Sequence, residues 1–124
     1  MAQANINLIV LSGNLTKDPE LRYLASGDAV TTLRLANNRR YRSGEEWQEE
    51  TTFIDVVVWG KQAESCGEYL SKGSPVLVEG NLRIREWETK EGSKRITPEI
   101  RARRVHFLGS RGDAGGDTRY VSEE

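Results

Sequence analysis

The sequence holds only one cysteine, Cys66, and one histidine, His106. A single cysteine cannot form a disulfide within the chain, and these two residues are too few ligands for a structural zinc site. A cysteine–histidine nucleophile pair would also need a third group to orient the histidine, and none is evident. We therefore expect no cofactor, no bound metal and no catalytic residues.

Long apolar runs are also missing, since the longest cover only residues 8–11 and 56–59. A membrane-spanning helix needs about 20 consecutive apolar residues. The sequence shows no basic segment followed by an apolar stretch, the pattern typical of a secretory leader. We expect a cytoplasmic protein with no membrane partner.

Charge of either sign is not in excess, because the net charge is −1. Its distribution along the chain is uneven. Residues 34–42 carry four arginines and no acid, residues 80–108 carry eight bases against four acids, and residues 43–51 carry four glutamates and no base. Local patches rather than the total decide which ligands a surface attracts. The basic segments are thus compatible with a polyanionic ligand.

Hydrophobic patterning predicts five strands and one helix. The strands are expected at residues 6–15, 30–42, 51–59, 76–87 and 94–108, and the helix at residues 61–71. Polar residues 43–50 are expected to form a hairpin loop that carries the acid cluster, and the last strand is expected to be irregular near Pro98.

This element order predicts an all-β fold. Five strands with one helix between the third and fourth is the order of the OB-fold, a small five-stranded Greek-key barrel. Residues 1–108 are expected to form this single domain. Residues 109–124 hold four glycines and few apolar residues, which is typical of a short, flexible, disordered tail.

Basic residues accompany most of the aromatic residues on or beside the predicted strands. Tyr41 is flanked by Arg40 and Arg42, and Lys61 follows Trp59 closely. In the run Arg83, Arg85, Trp87 all three residues have the same parity. Residues of one parity share one face of a strand, so two guanidinium groups and an indole are expected to point the same way.

Such a face suits unpaired nucleic acid, because aromatic rings stack on any base and arginine pairs with phosphate. Aromatic residues on strands, however, usually belong to the core. A protein-interaction barrel with core aromatics therefore remains an alternative, as does an OB module for RNA or for primosome assembly. The part played by Trp47, among the glutamates, is open.

Four segments resemble bacterial single-stranded DNA-binding proteins. They are Val10-Leu11-Ser12-Gly13-Asn14-Leu15 with Asp18-Pro19-Glu20-Leu21-Arg22-Tyr23, Phe53-Ile54-Asp55-Val56-Val57-Val58-Trp59-Gly60-Lys61, Tyr69-Leu70-Ser71-Lys72-Gly73, and Val78-Glu79-Gly80-Asn81-Leu82-Arg83-Ile84-Arg85-Glu86-Trp87. The resemblance extends over about residues 6–108, and the four segments together, in this order, are highly specific.

The resemblance implies sequence-independent binding and protection of single-stranded DNA during replication, recombination and repair, by a homotetramer associated with the nucleoid. The base-stacking positions of the family fall on Tyr41, Phe53, Trp59 and Trp87. Its basic positions fall on Arg22, Lys61, Lys72, Arg83 and Arg85. With Arg40 and Arg42 beside Tyr41, these are the expected phosphate contacts.

The chain departs from the family pattern in two places. Some members carry a basic residue where this chain has Asp55. Many members also end in an acidic tip closing in Pro-Phe, which recruits other replication and repair proteins. Residues 119–124 contain two glutamates but no proline or phenylalanine. Recruitment of such partners is consequently a weaker expectation than DNA binding.

Overall fold

A computed structural model describes residues 3–109. The predicted tail at residues 109–124 lies outside the described residues, apart from Gly109. The elements in chain order are β1 (Ile9–Leu15), β2 (Arg22–Tyr23), β3 (Ala29–Ser43), β4 (Glu46–Trp59), α1 (Gly60–Tyr69), β5 (Pro75–Glu88) and β6 (Lys94–Phe107). The prediction of five long strands with one helix between the third and fourth is confirmed, and the two-residue β2 is an addition to it.

The five long strands close into a barrel. The order of hydrogen-bonded strands in the sheet is β1–β5–β6–β4–β3, and a short β1–β3 pairing at Asn14 and Leu15 closes the barrel. All of these pairings are antiparallel except β4–β6, which is parallel and covers only residues 55–57 against 99–101. The all-β, OB-type barrel predicted from the element order is therefore the fold of the described chain.

The barrel interior is filled by alternate residues of the strands, as the two-residue period of a strand requires. Buried side chains come from every long strand and from α1. They are Leu15, Ala29, Leu33, Leu35, Val56, Val58, Ala63, Cys66, Leu70, Val76, Val78 and Ile100. Because these positions face inward, the residues between them on each strand face outward. The register of the core thus fixes which side chains reach the surface.

Helix α1 packs against β3 and β4 and is tied to β6 by the side chain of Gln62. The amide nitrogen of Gln62 donates to the carbonyl of Arg103 at 2.9 Å, and its amide oxygen accepts from the N–H of Val105 at 2.8 Å. Gly60, the first residue of α1, has a φ of 73°. Glycine is suited to this left-handed conformation, which turns the chain sharply from β4 into the helix.

The prediction of a loop over residues 43–50 is wrong. Strands β3 and β4 stay paired out to Ser43 opposite Glu46, so only Gly44 and Glu45 form the turn. Gly44 has a φ of 66°, which a tight two-residue hairpin requires. Three of the four glutamates lie on β4, and arginines of β3 oppose two of them: Arg39↔Glu50 and Arg40↔Glu49. This complementary pairing stabilises a strand that its polarity alone would not predict.

The irregularity expected near Pro98 lies elsewhere. Pro98 is in register opposite Ile84, and the register shift falls between Glu79 and Gly80. A Cβ atom at Gly80 would overlap the carbonyl oxygen of Arg101. Glycine is therefore required because the backbone of β6 leaves no room for a Cβ at this position of β5, which is the usual reason for a glycine at a bulge or barrel corner.

Candidate nucleic-acid interface

The outward-facing side chains of β3, β4, β6 and β5 form one continuous surface, which we call the outer face. Across β3 and β4, Arg34 lies opposite Asp55, Ala36 opposite Phe53 and Val30 opposite Trp59. The intervening residues of β4, including Val56 and Val58, are fully buried. The alternation of β4 therefore turns Phe53 and Trp59 away from the core and onto the outer face.

The four aromatic residues predicted to stack on bases are all exposed. Their relative exposures are 37% for Tyr41, 53% for Phe53, 38% for Trp59 and 44% for Trp87. Large aromatic side chains exposed together on neighbouring strands form the kind of patch that often marks a binding surface. The alternative in which these rings belong to the core does not hold.

Guanidinium groups lie over three of these four rings. The guanidinium carbon is 5.6 Å from the ring centroid for Arg34 and Phe53, and 5.4 Å for Arg101 and Trp59. For Arg39 and Tyr41 the distance is 4.5 Å. Cations within about 6 Å of a ring centroid are attracted by the ring's negative face. Each of these three rings thus lies next to a positive charge at the surface.

Strand β5 carries Arg83, Arg85 and Trp87 on a single face, in the arrangement that their parity predicts. All three are exposed. The indole N–H of Trp87 donates to the hydroxyl of Thr97 on β6 at 3.2 Å. This bond fixes the ring on the outer side of the β5–β6 hairpin, with the two arginines along the same strand.

Tyr41 lies on the opposite side of its strand. Its position in the sequence differs in parity from those of Arg40 and Arg42, so its side chain points away from the outer face. It lies in the exposed end of the β3–β4 hairpin, residues 38–51, which we call the β3–β4 arm. Arg40 and Arg42 face outward and lie over the ring of Trp47, at 5.2 and 5.8 Å from its centroid. The structure therefore groups these two arginines with Trp47 and not with Tyr41.

The remaining predicted basic residues lie around the barrel rather than on the two hairpins. Arg22, on β2, lines a hollow of about 220 Å³ together with Lys17, Glu20 and Thr32. Lys61, the second residue of α1, borders a larger groove of about 450 Å³ between the helix and β6.

Lys72 follows α1, where its backbone N–H donates to a carboxylate oxygen of Asp18 at 2.7 Å. Among the described residues, the Lys72 ammonium group does not lie over any aromatic ring.

Sequence reasoning did not assign Arg34 or Arg101 to this surface, and it left the part played by Trp47 open. Arg34 is brought to Phe53 by the register of the β3–β4 hairpin, and Arg101 is brought to Trp59 by the parallel β4–β6 pairing. Hairpin register could have indicated Arg34 once the loop was known to have two residues. No local pattern in the sequence indicates which residues of β6 pair with β4, so Arg101 carried no signal.

Two ionisable groups near the barrel have altered pKa values. Burial raises the pKa of the Cys66 thiol from 9.0 to about 11. The hydrogen bond between Tyr23 and Glu64, 3.2 Å between the oxygens, raises the pKa of the phenol, with desolvation and the glutamate charge acting in the same direction. Both groups are held in their protonated, unreactive forms at neutral pH.

Over residues 3–109 the structure shows no group of three histidine, cysteine or acidic side chains placed to hold a metal ion. Within the same residues, no helix has the length and apolar character needed to cross a membrane.

This chain is similar to single-stranded DNA-binding proteins of known sequence. The model of the single-strand binding protein family matches residues 6–108. The single-stranded DNA-binding protein of Treponema pallidum is 48% identical over 107 residues, which are 86% of this chain and 60% of that protein. Single-stranded DNA-binding protein 2 of Chlorobaculum tepidum is 46% identical over 114 residues, covering 90% of this chain and 77% of that one. This chain thus spans less than two thirds of the first of these relatives.

A solved structure, the Plasmodium falciparum SSB in complex with ssDNA, is similar to this fold with a TM-score of 0.79 and 29% sequence identity. The match covers 88% of this chain and all of that one. The barrel, the matched residues and the identity to these relatives agree with one another, and the chain belongs to the single-strand binding protein family.

Proposed function

We propose that this protein binds single-stranded DNA without sequence preference, by stacking bases on exposed aromatic rings and pairing phosphates with arginine and lysine. The observation that carries the proposal is the outer face itself. Phe53, Trp59 and Trp87 are exposed there, and Arg34, Arg83 and Arg85 lie on the same face. Each stacked base contributes about 1–3 kcal/mol whatever its identity, because every base has a π-face.

Single strands suit this surface better than duplexes. In a duplex the bases are already stacked on one another, so exposed rings find no free base face. An array of rings and cations across four β-strands instead matches an extended chain of unstacked bases and phosphates. Tyr41, on the other side of the β3–β4 arm, would contact a strand that passes around the arm.

The relatives support the same conclusion. The curated proteins compared above are named for single-stranded DNA binding, and the Plasmodium structure holds ssDNA. We extend this to roles in replication, recombination and repair, and to a location at the nucleoid in the cytoplasm. The proposed activity is binding and protection of the strand, with no chemical step.

We further propose that the chain forms a homotetramer. Ile6 and Leu8, just before β1, and Val10 on β1 are exposed apolar side chains at alternate positions, with exposures of 92%, 62% and 59%, and form an apolar row at the start of the strand. Over Ile9–Gly13, β1 pairs with β5 alone, so its other edge is open. An open edge beside an apolar row favours association with a second copy.

A second apolar group lies on the opposite side of the same sheet. Leu82, Ile84 and Ile96 are exposed on the inner side of the β5–β6 hairpin, at 41%, 53% and 65%. A tetramer with dihedral symmetry needs at least two different interfaces. Two separate apolar surfaces on one chain meet that need.

Titration of tryptophan fluorescence with oligothymidylate tests the binding proposal. We expect strong quenching by the single strand, weak quenching by a duplex of equal length, and binding that weakens as salt rises because releasing counterions into a more concentrated salt solution gains less entropy. Trp59→Ala should weaken binding by roughly five- to a hundredfold, the equivalent of one lost stacking contact. Tyr69→Ala, which removes an exposed ring on α1, is the matched control and should bind normally.

Absence of quenching at low salt by folded protein would overturn the proposal. Equal or tighter binding of an RNA strand of the same length would contradict the choice of DNA as the ligand. That comparison is needed because stacking alone does not discriminate between the two, whereas contacts to the 2′-hydroxyl would.

A further inference from the structure

Four charged residues form a row across the middle of the outer face, one from each of four neighbouring strands. Arg34 of β3 lies opposite Asp55 of β4, Asp55 opposite Glu99 of β6, and Glu99 opposite Arg83 of β5. The order of charges is therefore positive, negative, negative, positive. This row lies between Phe53 and Trp59 along β4. A single-stranded DNA whose bases stack on both rings must therefore cross the row.

Arg34 is not a free cation. Its guanidinium nitrogen is 3.2 Å from a carboxylate oxygen of Asp55, and its guanidinium carbon lies over the ring of Phe53. Both side chains of the ion pair are only partly exposed, 42% for Arg34 and 33% for Asp55. Partial burial reduces the screening of the pair by solvent. A phosphate that pairs with Arg34 has to displace Asp55 or approach it closely.

Glu99 adds a second carboxylate at the next position across the sheet. Neighbouring strands lie about 4.8 Å apart, so the two acidic residues are close enough to reinforce each other's repulsion of an anion. In the described part of the chain, Glu99 makes no ion pair within 4.0 Å, whereas Asp55 is paired with Arg34. The centre of a surface otherwise suited to a polyanion thus carries two neighbouring carboxylates, of which only Asp55 is in an ion pair.

We propose that Asp55 and Glu99 restrain the binding of single-stranded DNA at the centre of the outer face. Asp55 occupies Arg34, and both carboxylates repel the phosphates that pass between Phe53 and Trp59. The single-stranded DNA is then held mainly by stacking of its bases on either side of the row. It dissociates quickly and can exchange with other single strands. This inference rests on the proposed function and adds to it a pair of residues that weaken binding.

Asp55→Asn tests the inference, because the amide keeps the size of the side chain and removes its charge. We expect affinity for oligothymidylate to rise about three- to tenfold, with a slower dissociation rate, as Arg34 becomes available to phosphate. The plot of log affinity against log salt should also steepen by about 0.7, the slope contributed by one more neutralised phosphate. Glu99→Gln should change affinity in the same direction.

Glu68→Gln is the matched control. Glu68 is exposed on α1, away from the outer face, and its replacement changes the net charge by the same amount. Its affinity and salt slope should equal those of the unaltered protein. If Glu68→Gln tightens binding as much as Asp55→Asn, the effect belongs to net charge and the inference is wrong.

The outcomes also separate the inference from the proposed function. Unaltered protein that binds oligothymidylate, together with an Asp55→Asn variant of equal or weaker affinity and a native circular dichroism spectrum, overturns the inference alone. Failure of the unaltered protein to bind any single strand overturns the proposed function. The rate at which oligothymidylate dissociates is measured by stopped-flow mixing of the complex with an excess of competing single strand.

Discussion

Phe53 and Trp59 each lie beneath a guanidinium group that a different strand supplies. Arg34 reaches Phe53 from β3, and Arg101 reaches Trp59 from β6. A planar guanidinium can stack on a base as well as on a ring and still pair with phosphate. The two arginines therefore order the rings before the strand arrives, which reduces the conformational entropy that binding costs.

Cys66 gives a residue-scale prediction about pH. Its thiol is fully buried, and burial raises its pKa to about 11 from 9.0. Between these pH values the unfolded chain has lost a proton that the folded chain keeps. The free energy of unfolding should therefore fall as pH rises from about 9 to about 11, and this contribution is complete below pH 9.

Urea unfolding of the unaltered protein and of Cys66→Ala at pH 7 and pH 10 measures this contribution. Tyrosine and lysine titrate in both proteins, so the difference between them isolates the thiol. The unaltered protein should lose more stability between the two pH values than the variant does. Equal losses would show that burial does not hold the thiol protonated.

The residues that share the outer face could be predicted only where one strand carries the whole pattern. Arg83, Arg85 and Trp87 are such a case, because parity along one strand puts them on one face. Tyr41 and Arg40 are the opposite case: adjacency in sequence suggested one group, and alternation separates them. The contacts of Arg34 with Phe53 and of Arg101 with Trp59 depend on which strands are neighbours, which a single sequence does not reveal.

At the scale of elements, the two long hairpins extend the surface beyond the barrel. In the β3–β4 arm every residue is exposed, and the same holds for β5 from Asn81 to its end at Glu88. Because residues 43–50 are polar, their sequence predicted a loop. What keeps β3 and β4 paired there is cross-strand charge, including the 3.5 Å contact between Arg39 and Glu50, and a turn shaped by Gly44. Such pairing contributes about 0.2–1 kcal/mol for each opposed pair.

Gly80 gives the element-scale prediction. An alanine Cβ at this buried position would overlap the carbonyl oxygen of Arg101, so the β5 and β6 backbones would have to separate. Gly80→Ala should lower the free energy of unfolding by about 1–3 kcal/mol, as overpacking does. Denaturant unfolding gives the value directly.

Gly67→Ala is the control for that variant. Gly67 lies in α1, where a Cβ would meet only the side chain of Leu21, at 3.4 Å, an ordinary contact distance. Alanine in a helix is favoured over glycine by about 0.5–1 kcal/mol, so this variant should be as stable as the unaltered protein or more so. Equal destabilisation by both substitutions would contradict the role assigned to Gly80.

At the scale of the whole molecule, the order of elements was enough to predict the barrel. Five strands with a helix after the third leave few arrangements that follow the usual rules of connection. The closure of the barrel was not predictable in detail. It depends on three residue pairs between β4 and β6 and on two between β1 and β3, too few to leave a periodic signal in the sequence.

Association of the chain gives the whole-molecule prediction. Light scattering after size exclusion should give four times the chain mass of 14.0 kDa. Leu8→Glu puts a charge into the apolar row at the start of β1 and should reduce the mass to that of a smaller species. Leu24→Glu, at an exposed leucine outside both apolar surfaces, should leave it unchanged. A single-chain mass for the unaltered protein would overturn the tetramer.

The pairing of β1 with β5 has a consequence for how the chain reaches this fold. It sets Ile9 opposite Gly80, about seventy residues later, whereas the β3–β4 and β5–β6 hairpins pair residues close in sequence. Non-local pairing carries a large loop-closure entropy and slows folding. The two hairpins can form early, but β1 has no partner along most of its length until β5 has been synthesised. During translation, Ile9–Gly13 of β1 and the apolar side chains beside them remain unpaired until residues 76–80 have emerged.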